Sequence, residues 1–120
     1  MTLGEAIDAV EETYEFMLAY AAQGRRQEDD DSTGGIRASL KRADTGLAAI
    51  AGATVAGKEG QAFLDIVRQD AAKASAAIRL VLAQPAISSQ LIDNLNASIH
   101  LRALLTDLFL LDEALKINPA

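Results

Sequence analysis

Residues 88–116 read SSQLIDNLNASIHLRALLTDLFLLDEALK, and how this stretch folds decides the architecture. Its apolar residues recur at helical steps. Leu101, Leu104, Leu105, Leu108 and Leu115 make one stripe, while Ile92, Ile99, Ala103, Leu110 and Ile117 lie roughly opposite. Pro85 precedes the stretch and Asn118-Pro119 follows it, so helix-stopping residues bound it on both sides. The reading is one helix over about 87–116.

Working outward, the preceding segment carries Phe63, Ile66, Val67, Ala71, Ala74, Ile78, Val81 and Leu82 on one face, with Asp65, Arg68, Gln69, Lys73 and Arg79 outside. This predicts a helix over about 59–84, which Pro85 either ends or follows into the first turn of the next. Before it, Ile36, Leu40, Ala43, Leu47, Ile50 and Thr54 define a helix over about 34–56 that Gly57 breaks. Its outer face begins with Arg37, Lys41 and Arg42 and then turns small: Thr45, Ala48, Ala49, Gly52, Ala53 and Ala56. Small residues let two backbones approach closely. Gly46 and Gly52 each cost roughly 1 kcal/mol against Ala in a helix interior, which implies either tight packing or local mobility.

At the start of the chain, Thr2-Leu3-Gly4-Glu5 has the form of a capping box. Leu3, Ile7, Val10, Tyr14, Met17, Leu18 and Ala21 then make the stripe of a helix over about 3–23, with Gly24 as its stop. Glu5, Asp8, Glu12 and Glu15 occupy the other face. Residues 25–34 have no periodicity and read as a flexible acidic loop. The expectation is therefore an all-α chain folded as one domain, an antiparallel up-down four-helix bundle.

Composition narrows the function. Apolar residues at 50% and charged residues at 23% describe a globular chain, and aromatics at 4% leave Leu, Ile, Val and Ala to make the core. A formal charge of −6 argues against nucleic acid and against an anionic membrane surface. The lack of cysteine removes disulfides, thiolate metal sites and a Cys nucleophile. The acidic, amphipathic beginning resembles neither a signal nor a transit peptide, so the expected compartment is the cytoplasm.

Two motifs suggest chemistry. Asp29, Asp31 and Thr33, followed by Gly34 and Ile36, match the first eight positions of an EF-hand calcium loop. The twelfth position, which should supply a bidentate Glu, is Leu40, so the segment reads instead as an acidic turn whose Ser32 or Thr33 caps the second helix. The second is His100, the single histidine. Histidine-phosphotransfer domains are four-helix bundles of about this length whose exposed His is followed by Lys three and Gly four residues later. Here those positions are Ala103 and Leu104, and the Leu would crowd an approaching partner. No Glu-x-x-His pair of a di-iron bundle, no phosphate-binding loop and no dinucleotide fingerprint is present, and no cofactor is implied.

The last helix is apolar on more sides than a bundle uses, and such a surplus marks an interface. The expected function is thus non-enzymatic: a homodimer, or a small subunit or adaptor of a larger assembly. Phe16, Tyr20, Leu104, Leu108 and Leu111 are its candidate contact residues, and the acidic face of the first helix would steer a basic partner. The alternatives are phosphoryl acceptance at His100 and a small apolar ligand held inside the helices.

Overall fold

The computed structural model describes residues 1–28 and 35–117. Among these there are five α-helices and no strand: α1 (Leu3–Ala21), α2 (Ile36–Ala51), α3 (Lys58–Leu82), α4 (Ser89–Ala97) and α5 (Ile99–Ile117). The expected capping box opens α1, with Thr2 N donating to Glu5 Oε1 at 3.0 Å and Glu5 N donating to Thr2 Oγ1 at 3.1 Å. These bonds satisfy backbone donors that a helix start otherwise leaves free. They also hold the Glu5 carboxyl below its ordinary range.

The four-helix count needs correcting. The segment 87–116 is two helices, because Ser98 adopts φ −58° and ψ 127°, outside the helical region. Its N–H donates back to Leu95 O at 3.1 Å and its carbonyl accepts from Arg102 N at 3.0 Å, so it closes α4 and opens α5. The break lets each half choose its own neighbour: α4 lies mainly against α1, and α5 mainly against α3. Pro85 belongs to the connection between α3 and α4, and Ser88 caps α4 by accepting from Leu91 N at 3.0 Å.

The second helix is shorter than its stripe suggested. It ends at Ala51, and Gly52 takes the cap position, so Thr54 is an exposed connection residue. The carbonyls at this end are met by the Arg68 guanidinium, which donates to Ala51 O at 2.9 Å and also to Ala53 O. At its start the cap residue is Gly35, with Ser39 N donating to the Gly35 carbonyl at 3.1 Å. Ser32 and Thr33, the expected caps, lie outside the described residues.

One buried cluster runs through the helices, with Ile7, Met17, Ile36, Leu40, Ile50, Leu64, Ile78, Ile87, Ile92, Leu104 and Leu108 all but sealed from solvent. Gly46 explains how α1 and α2 approach so closely. A Cβ there would sit 3.0 Å from the Ala6 carbonyl oxygen, so only glycine fits without displacing backbone. Close packing, not looseness, is the reason for this glycine.

The end of α1, the start of α2, the end of α3 and the start of α4 are stitched by polar groups. Tyr20 Oη donates to Ile87 O at 2.7 Å, Ser89 Oγ donates to Tyr20 O at 2.7 Å, and Arg25 N donates to Ser89 Oγ at 2.8 Å. Arg37 donates to Leu82 O at 2.9 Å, to Gln84 O at 2.7 Å and to Glu28 Oε1 at 2.6 Å. The other Glu28 oxygen accepts from Ile87 N at 2.6 Å, and this bond is the main reason its carboxyl titrates below the ordinary range. Arg25 and Glu28, in the described part of the expected loop, are thus tied to α2, to α4 and to the connection before α4. No described helix is long and apolar enough to cross a membrane.

Candidate interaction surface

The apolar surplus of the last helix survives folding. Leu101, Leu104, Leu105, Leu108 and Leu111 are the buried residues of α5 and join the shared core. The opposite face is open: Ile99 is 74% exposed, Leu110 60% and Ile117 81%, with Phe109 exposed beside them. Ile99, Ala103, Thr106, Leu110, Glu113 and Ile117 follow one another at alternating four- and three-residue steps. That is the spacing of a coiled-coil seam, which keeps one stripe facing a partner helix. Thr106 and Glu113, the polar members, are also exposed.

The expected contact residues divide. Phe16 is exposed on α1 at 37%. Tyr20, Leu104, Leu108 and Leu111 are buried within the chain. The physical reason is rotational: α5 turns its richer leucine stripe toward α3, so the second stripe carries the exposure. Ile92, assigned to that second stripe, is fully buried because the break at Ser98 separates its helix from α5.

Charge borders the open face on both sides. Arg102 lies exposed near its beginning. Lys116 lies near its end, 3.4 Å from Asp112 Oδ2 and 3.8 Å from Glu113 Oε2. The Asp112 charge, above all, raises the Lys116 pKa. On the α3 side, Asp107 pairs with Asp70, and the Asp107 carboxyl is pushed up to about 7, first by burial and then by the Asp70 hydrogen bond and charge. Two carboxyls can bond to one another only by sharing a proton. Among the described residues, no backbone N–H or other side chain hydrogen-bonds the buried Oδ2 of Asp107.

The other candidates are spread apart. His100 is exposed in the first turn of α5, and Leu104, expected to crowd an approaching partner there, is fully buried. Asp29, Asp31 and Thr33 lie outside the described residues, whereas Leu40 is buried in α2. Among the described residues no group of three or more His, Asp or Glu is placed to hold a metal. A surface cleft of about 330 Å³ lies between α1 and α4, lined among others by Tyr14, Leu18, Asp93, Asn96 and Arg102. The Asn96 amide is buried there, and among the described residues no group hydrogen-bonds its oxygen or its nitrogen. Sequence reasoning missed the Asp70–Asp107 pair, whose members lie on different helices, and the Arg37–Glu28 clamp, whose further partners Leu82, Gln84 and Ile87 lie far along the chain.

No family model, no curated protein and no solved structure matches this chain.

Proposed function

We propose that this protein works without catalysis, as a component that binds other proteins through the outer face of α5. The observation that carries the proposal is the exposure of Ile99, Leu110 and Ile117 on one seam-spaced face. Covering such a face removes apolar surface from water, at roughly 25 cal/mol per Å², and contiguous exposed apolar surface marks interaction sites. The partner is a second copy, or a subunit to which this chain is a small helical adaptor, in a cytoplasmic setting consistent with the acidic, cysteine-free composition. In this reading α4 and α5 together fill the fourth position of an up-down bundle, supported by their separate contacts with α1 and α3.

Leu110→Glu places a charge in the centre of the face without touching the core. Wild-type protein at about 100 µM, or wild-type protein in extracts of its native host, should run above monomer mass by light scattering, and the variant should not. A variant that forms the same complexes, or a wild-type chain that forms none, refutes the proposal.

The accessible imidazole of His100 supports a second reading, phosphoryl acceptance. Incubation with labelled phosphorylated response regulators tests it, and an unlabelled wild-type protein ends it.

A further inference from the structure

We infer that the α5 face recognises itself: a second copy docks with its own α5 running antiparallel across a two-fold axis that passes outside the open face, at the height of Leu108 along the helix. This rests on the protein-binding reading above and names the partner.

The first support is register. In an antiparallel pair centred there, the seam residues face one another in complete layers. Ile99 meets Ile117, Thr106 meets Leu110, and Ala103 meets Glu113, each layer occurring twice by symmetry. Phe109, exposed on one rim of the seam, lies close to the axis and meets its own copy. Both ends of the contact are then closed by isoleucines that are 74% and 81% exposed in the single chain.

Charge provides the second. The chain carries −6 overall, so most of its surface repels a second copy. The acidic face of α1, with Glu5, Asp8, Glu12 and Glu15, cannot pair with itself. The α5 face carries both signs. The antiparallel register sets Glu113 against the small Ala103 and beside the neighbouring Arg102 of the other copy, where acid and base can pair. A parallel register instead stacks Glu113 on Glu113 within the seam, where two desolvated like charges oppose each other. Arg102 is exposed, and among the described residues the ion-pair partner of Glu113 is Lys116, at 3.8 Å. Both are thus free to reach across.

The lack of cysteine makes this testable by disulfide mapping. An Ile99→Cys chain mixed with an Ile117→Cys chain should oxidise to a mixed dimer, whereas Ile99→Cys alone should stay monomeric on reducing-agent-free gels. Arg102→Glu and Glu113→Arg should each weaken self-association about three- to tenfold, and the double swap should restore most of it. Ready disulfide formation between two Ile99→Cys chains would show a parallel pair and overturn the inference, as would a double swap no better than either single variant. A wild-type chain that stays monomeric at about 200 µM overturns it too. If that monomeric chain still binds another protein and Leu110→Glu abolishes the binding, the broader proposal stands. If it binds none, both fall.

Discussion

Gly46 shows at the scale of one residue how a reading of sequence can frame a question and the structure answer it. Two glycines in an alanine-rich helix imply either tight packing or weakness, and the alternatives divide between the two positions. A Cβ at Gly46 would press on the Ala6 carbonyl oxygen at 3.0 Å, whereas Gly52 ends its helix with φ −95° and meets only its own helix at 3.9 Å. Gly46→Ala gains helix propensity of about 1 kcal/mol but overpacks a backbone contact that costs roughly 1–3 kcal/mol. Net destabilisation by about 1 kcal/mol is expected. Gly52→Ala should be neutral or slightly stabilising. Urea unfolding of the two variants checks both, and an equal response at the two sites would contradict the packing argument. Contact residues were less legible at this scale. Tyr20, a candidate contact residue by sequence, has its ring buried and its hydroxyl donating to Ile87 O across the fold. An amphipathic aromatic suits either place, and sequence spacing alone does not say which.

Among the elements, the extents of α1 and α3 were legible from their apolar period and stop signals, but the stripes were not wholly so: Leu18 and Ile66, expected on the buried faces, are exposed, and Leu64, outside the expected stripe, is fully buried. The division of the last segment was not legible, because the apolar period carries on across Ser98 without a glycine or proline to interrupt it. The signal lay in Asn94, Asn96 and Ser98, short polar residues that favour caps over helix interiors. The contact between α3 and α5 holds a pH dependence of its own. Asp107 keeps its proton to about pH 7 in the folded chain, against an ordinary value of 3.8. Between those values the folded chain binds more protons than the unfolded one, so stability falls as pH rises through that window and levels off above it. Asp107→Asn, whose amide can donate to Asp70 at any pH, should flatten this decline and raise stability at pH 8 by on the order of 1–2 kcal/mol. Thermal unfolding from pH 5 to 8 measures it. A wild-type chain no less stable at pH 8 than at pH 5, with the variant unchanged in slope, would show that the pair shares no proton.

For the whole molecule, the acidic surface and the open face of α5 point in the same direction. A chain with extents of 46 × 25 × 21 Å and a continuous buried cluster already has a core, so Ile99, Leu110 and Ile117 are not needed to complete one. The sequence made both stripes of the last helix visible. It did not show which would face α3, since that depends on the rotation of α5 after the break. The claim that this face is a contact surface is tested most directly by a photo-activatable crosslinking residue placed at Thr106, exposed in the seam, with the same residue at Ala76, exposed on α3, as reference. In cells of the native host, irradiation should produce a defined higher-mass species from position 106, and Leu110→Glu should remove it. Crosslinking at position 106 no stronger than at position 76, or unchanged by Leu110→Glu, would contradict the account.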